Sequence, residues 1–289
     1  MLNLYTSFVT AARSGGDLSD GEKTAVIYHD IFDYPLAISD LVRWSAGTIP
    51  ELALDGVSLS SKNGLFFVRG REGLVYKRLL RKRISAKKLE IAKAASKILV
   101  LLPSVKMVAV TGSLAMQNST DEGDIDLMIV TKKGTLWITR LAVYLVLSIA
   151  GYGLRKPGDK NQKDKLCLNM WFDEDDLIWR NCNIYTAHEI AQVVPLVNKG
   201  HAYEKFLLKN KWIFKYWPNA VKIGNRKFNG KLKMKTGNFL QQTLESICYR
   251  VQYLHMKAKI TRETVTPTRA VFHPQDWGEV VLDRLGFRL

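Results

Sequence analysis

The sequence predicts an α+β protein: a small mixed β-sheet core flanked by helices, with short helices and a hairpin before it and a basic helical C-terminal region after it. Three observations predict this. Short apolar runs at 105–110, 125–130 and 166–172 are rich in β-formers and read as buried strands. Helical spacing of apolar residues dominates 77–102, 135–150 and 239–260. With 289 residues and 47% hydrophobic composition, the chain can build two or three packed domains and is not disordered by default. The expected division is 1–78, a linker helix at 79–103, a core at 104–198 and a basic helical domain at 199–289.

Taken in order, residues 1–17 read as a loosely held start ending in Ser14-Gly15-Gly16. Ser19 and Glu22 form a capping box, so a helix runs from about Asp20 to Asp30. Tyr34-Pro35 breaks the chain, and Ser39 is expected to cap a second helix at 40–45. Thr48, Pro50 and Glu51 open a third, ending by Gly56. Leu65-Phe66-Phe67-Val68 and Leu74-Val75-Tyr76 read as a hairpin whose tip carries Arg69 and Arg71.

The run 77–102 is basic on one face and apolar on the other, a long amphipathic helix ended by Pro103. The apolar stretch 136–152 is short for a transmembrane span and is interrupted by Arg140, so it reads as a buried helix with no stable membrane insertion. Residues 151–165 read as a loop whose Arg155, Lys156, Lys160, Lys163 and Lys165 could face phosphate. A helix is expected after Tyr185, with Thr186 as cap, Glu189 at the reciprocal position and His188 a surface or packing residue. Beyond His201 the chain is helical and basic with interleaved aromatics, and 239–260 reads as a helix packed inside that domain.

Lys and Arg number 43 against 27 Asp and Glu, giving a net charge of +16 and favouring polyanionic partners. Cys167, Cys182 and Cys248 are odd in number and lack metal spacing, with Cys167 and Cys248 in apolar runs. Together with an N-terminus that lacks a secretory pattern, this predicts a reducing, cytoplasmic setting.

The chemistry concentrates at 110–130, VTGSLAMQNSTDEGDIDLMIV. Asp124 and Asp126 are two apart at the head of a strand, so both face one side. Like charges there are unfavourable unless a cation sits between them, and oxygen ligands suit Mg²⁺. Gly112 lets backbone approach a ligand closely, and Ser113 with neighbouring N–H groups can hold phosphate.

A strand ending in Gly112-Ser113, ten residues, then Asp124-Ile125-Asp126-Leu127 opening a second strand resembles the DNA polymerase β-like nucleotidyltransferase superfamily. The match is close over 105–131 and loose over 98–172. It implies transfer of a nucleoside monophosphate from an NTP to an acceptor hydroxyl on RNA, protein or a small molecule, releasing pyrophosphate. Asp124 and Asp126 would hold two Mg²⁺ ions, and Gly112 and Ser113 would seat the β- and γ-phosphates. The superfamily's third carboxylate is replaced by Asn169, with Asp173 expected on the same strand face as an alternative. Three helices and a hairpin over 18–78 resemble, less specifically, a winged helix-turn-helix, although 48–60 carries acids and no Arg or Lys suited to reading bases. Two rivals remain: a weak or inactive nucleotidyltransferase-fold protein that binds nucleotide or nucleic acid, and a regulatory or toxin–antitoxin partner.

Overall fold

A computed structural model describes residues 18–47, 56–222, 239–258, 260–272 and 277–286. The expectations for residues 1–17 and for a helix over 48–55 lie outside them. The architecture is α+β, with one three-stranded and one six-stranded sheet among the described residues.

The chain opens with α1 (Asp20–Asp30), and Ser19 and Glu22 make the expected capping box. The next helix, α2 (Ile38–Trp44), follows the two-residue strand β1 (Leu36–Ala37) directly. It is held at its start by the Asp40 carboxylate, which accepts from the Ala37 N–H at 3.1 Å; the expected Ser39 cap is not used. Strands β2 (Leu59–Lys62) and β3 (Leu65–Val68) form the hairpin. Its turn is Asn63-Gly64, both at positive φ, as a two-residue hairpin loop requires. The hairpin expected at 65–76 is therefore shifted. Leu74-Val75-Tyr76 instead starts α3 (Leu74–Leu99), the long amphipathic helix.

The large sheet contains β4 (Val105–Val110), β5 (Ile125–Thr131), β6 (Leu166–Asp173), β7 (Val194–Asn198), β8 (Thr264–Thr266) and β9 (Arg269–Val271), in the order β7-β4-β5-β6-β9-β8. The β8–β9 hairpin extends the sheet, so the C-terminal region is not purely helical as expected. Within this sheet β5 and β6 pair in parallel, and the other pairs are antiparallel. A parallel neighbour needs a crossover, and α5 (Leu136–Ile149) supplies it.

These directions decide where chemistry can gather. The antiparallel pairing brings the end of β4 to the head of β5, with Val110 opposite Leu127. Parallel pairing brings the head of β6 to the same edge, with Asp126 opposite Cys167. Val194 pairs with Val110, so the helix before β7, α6 (Ile184–Ala191), also ends there.

Two cores cover the sheet. One face, with Met107, Ala109, Met128, Val130 and Phe172, packs against α1, α2, α6, α7 (Ala202–Lys209) and α9 (Trp277–Arg284). The other, with Val108, Val110, Leu127, Ile129 and Trp171, packs against α3, α5 and partly buried residues of α8 (Phe239–Lys257). No described helix is long and apolar enough to cross a membrane. The expectation that α8 packs inside a domain is not met. Glu245, Cys248, Tyr249 and Gln252 turn toward α5 and the sheet, while Leu240, Leu244, Ile247, Val251 and Leu254 are exposed.

The N-terminal helices are joined to the core by a buried knot. His29 and His188 meet Nε2 to Nε2 at 3.1 Å, ringed by Tyr28, Trp44 and Trp217. His29 Nδ1 lies 2.7 Å from the Ala25 carbonyl, to which it can only donate, so its Nε2 accepts and His188 donates. Burial lowers the pKa of both, His29 to about 3, and keeps them neutral. The expectation of a surface or packing role for His188 resolves as packing.

Candidate functional site

The short helix α4 (Gly112–Ala115) follows β4 directly. Gly112 has φ +58°, and a Cβ placed there would lie 2.6 Å from Asp126 Oδ2. Only glycine fits, so the turn and the acid face each other in contact. Downstream, the Asn118 N–H donates to the Ser113 carbonyl at 2.8 Å, and the Ser113 and Ser119 hydroxyls lie 3.4 Å apart.

The loop leading to Asp124 is anchored from α3. The buried Lys88 ammonium donates to the carbonyls of Asp121 and Gly123 at 3.0 and 2.7 Å, and to Asp164 Oδ1 at 2.7 Å. One lysine thus sets both the approach to Asp124 and the segment entering β6.

A register irregularity next to the acids shapes β6. From Asp126 to Met128 on β5, the partner advances from Cys167 to Met170, one residue more. Bulges re-aim side chains in this way. Asp124, Asp126 and Cys167 present ligand atoms within 4.8 Å of one another. Asn169 donates from Nδ2 to Asp126 Oδ1 at 2.7 Å. Cys167, expected to be a plain core thiol, is buried but lies beside the acids, and burial with the charges of Asp126 and Asp124 pushes its pKa up.

Asp173 does not join this group. Beyond the bulge the strand parity flips, and Asp173 pairs opposite Thr131 at the other end of β5. There its carboxylate accepts from the N–H of Gly134 at 2.6 Å and of Asp175 at 2.9 Å. Its expected face-sharing with Asn169 is overturned.

Arg155, from the loop before β6, donates to Asp124 Oδ2 at 2.6 Å and approaches Cys167 Sγ at 3.5 Å. Among the described residues, Asp126 has no such cation in hydrogen-bond contact. Burial, then repulsion from Asp124, pushes its pKa up to about 7.

Asp126, Asn169 and Arg155 line a cavity of about 460 Å³, together with Thr111, Gly112 and Ser113. Two polar atoms in its wall are buried and unpartnered: Asn169 Oδ1 and Thr111 Oγ1. Buried polar atoms are rarely left so, and both suit a ligand carrying a cation or a donor.

One lining acid escaped the sequence reading. Glu189 was expected to close a capping box with Thr186, but Asn183 is the cap and Thr186 the reciprocal residue, their side chains and N–H groups meeting at 2.8 and 3.1 Å. Glu189 is thereby released to face the cavity. Burial, then the charge of Asp126, pushes its pKa up to about 8. Its sequence signal was a wrong helix start: moving the cap from Thr186 to Asn183 turns Glu189 inward.

Arg69 and Arg71, expected at the hairpin tip, lie after β3 instead; Arg71 bonds to Asp30 at 2.5 Å and to Asp33, which occupies its guanidinium, and Arg69 is exposed. Compared with known proteins, the chain matches no family model, no curated protein and no solved structure.

Proposed function

We propose that the protein is a metal-dependent nucleotidyltransferase of the polymerase β-like kind, moving a nucleoside monophosphate from an NTP to a hydroxyl. The observation that carries this reading is the contact between the Gly112 turn and Asp126, which a single methyl group would close. A glycine-serine turn pressed against a half-buried acid pair has no packing rationale, because the like charges cost stability.

The donor set fits a divalent cation: two carboxylates on one side of a strand with the Cys167 thiol beside them, an adjacent orphaned amide oxygen, and, among the described residues, one bonded cation, Arg155 on Asp124. Asp124 and Asp126 would hold Mg²⁺, which when bound offsets charge on the triphosphate and eases ionisation of the attacking hydroxyl. The protein's own groups do the rest. The N–H groups and hydroxyl at Gly112-Ser113 seat phosphate oxygens. Asn169 orients Asp126 through its amide. Arg155, within reach of the acids, exchanges its bond with Asp124 for one to a phosphate oxygen.

The reading is tested by NTP binding and turnover with and without Mg²⁺, in the wild type and in Asp126→Asn. Binding and pyrophosphate release that need Mg²⁺ and vanish in the variant support it. A second reading is favoured by two observations, the Arg155–Asp124 ion pair and the amide at the third position. In it, the protein binds nucleotide without chemistry, and the same assay returns binding with no pyrophosphate.

A further inference from the structure

Helix α8 is fixed from one side. Glu245 accepts from the N–H groups of Trp137 and Ile138 at 2.6 and 3.0 Å. The Gln252 amide donates to the Trp137 carbonyl at 2.9 Å and accepts from the Arg140 guanidinium at 2.6 Å. Cys248, Tyr249 and Met256 add apolar contact on the same side. These bonds set the rotation of the helix about its own axis, and so set what it turns outward.

Turned outward are Leu240, Leu244, Ile247, Val251 and Leu254, spaced by four, three, four and three residues. That is the spacing of a heptad seam, which one helix presents to another. A helix that only covers a domain needs an apolar stripe on its inner side; α8 has a second stripe on its outer side. On the neighbouring α5, Leu141, Leu145 and Ile149 also face out. The side chains of the two stripes are 46–77% exposed. Together they offer apolar surface on the order of 800 Å², about what each partner gives to a stable dimer and more than a monomer commonly leaves bare.

The seam is symmetric about Ile247. Reversing the helix lays Leu240 against Leu254 and Leu244 against Val251, so the surface complements itself, as a two-fold interface requires. The charges agree with this direction. The one acid in α8, Glu245, is spent on the N–H groups of α5. Antiparallel pairing sets Arg250 beside Thr243 of the second copy, whereas parallel pairing sets it beside His255, a partner of its own sign when protonated. We propose that the protein is a two-fold dimer in which α8 pairs antiparallel with α8 of a second copy, with Ile247 at the axis and the outer stripe of α5 flanking the seam. The inference stands apart from the nucleotidyl-transfer reading. No residue of α5 or α8 lines the cavity, so pairing leaves the aspartate site of each copy open.

The experiment is sedimentation equilibrium of the full chain over a range of concentrations, with the wild type expected at twice the chain mass. Ile247→Asp should weaken the dimer by roughly 30-fold or more, the scale of losing a central anchor. Leu254→Lys should act in the same direction, and Ser246→Lys, beside the seam, should leave the dimer intact. Circular dichroism confirms that each variant is folded; the substituted side chains are exposed, and Leu254→Lys carries the test if Ile247→Asp does not fold. Direction is read by cross-linking. In chains with Cys182 and Cys248 replaced by serine, Leu240→Cys and Leu254→Cys proteins are mixed and oxidised. A disulfide between the two different variants supports antiparallel pairing, and disulfides only between like variants overturn it. A wild type that is monomeric at the highest concentration, or a dimer unmoved by both Ile247→Asp and Leu254→Lys, overturns the proposal. So does a monomeric wild type that sediments with phosphatidylcholine–phosphatidylserine vesicles while Ile247→Asp does not, which assigns the stripe to a lipid surface.

Discussion

Strands β5 and β6 carry acids at both of their ends, and the two ends are built on opposite terms. At the far end Asp173 is buried, yet two backbone N–H groups fill its lone pairs, and the next residues tie back through Glu174 to Lys133 N–H at 3.1 Å. At the near end Asp126 accepts one amide, repels Asp124 and Glu189, and sits among orphaned polar atoms. A satisfied buried acid is an anchor; an under-satisfied one beside a cavity is reserved for something not of the chain. Sequence spacing alone treats the two as equals.

The contrast breaks most sharply under Asp126→Asn. Turnover should fall by about 10²–10³-fold or more, the scale of losing one electrostatic group from a reaction centre, while the melting temperature holds or rises. The sign follows from protonation. Asp126 titrates near 7 in the fold against an ordinary 3.8, so the folded chain keeps a proton the unfolded chain has released. Its contribution to stability is present in acid and is lost as pH climbs from about 4 through 7. The variant should flatten that slope in a melting series.

Asp173→Ala should do the reverse, costing roughly 1–3 kcal/mol because two backbone N–H groups lose a charged, part-buried acceptor, with turnover per folded molecule unchanged. Equal activity losses in the two variants would erase the distinction. Lys88→Met should sharpen it, since it strips two carbonyls and Asp164 of a buried donor. A loss of about 2–3 kcal/mol and a weaker Mg²⁺ response are expected, read by urea unfolding and by metal titration.

The histidine knot gives a slope of opposite sign to Asp126. Both imidazoles are neutral in the fold, with His29 lowered to about 3. The stability they confer is complete above about 6.5 and is lost as pH falls toward 3; His188→Gln should reduce that acid sensitivity. The smallest effect belongs to Arg71→Ala. Its partly exposed ion pairs with Asp30 and Asp33 contribute about 1 kcal/mol or less, and raising salt should shrink even that.

Much of this was legible because it is local. The strands, the Gly112-Ser113 turn and the Asp124/Asp126 pair lie within a couple of dozen residues, and period-two spacing fixes their common face. Glu189 was not legible as a site residue, and Arg155 only as one of five basic loop residues, because strand order, not sequence distance, brings them near Asp126. The bulge between Cys167 and Met170 leaves no mark in the sequence and reversed the reading of Asp173. Asn63-Gly64 was a readable turn signal that the more conspicuous Arg69–Gly73 segment overshadowed. The strands β8 and β9, three residues each, are too short for periodicity to register.

Phe32 and Tyr34 line the same cavity as Asp126, Arg78 lies over the Tyr34 ring at 3.8 Å, and Asn118 reaches back to the Phe32 carbonyl at 2.9 Å. The segment after α1 is thus part of the pocket wall and not a detachable accessory. A shortened protein beginning near residue 79 would keep its aspartates and leave their cavity open where His29, Phe32 and Tyr34 now close it.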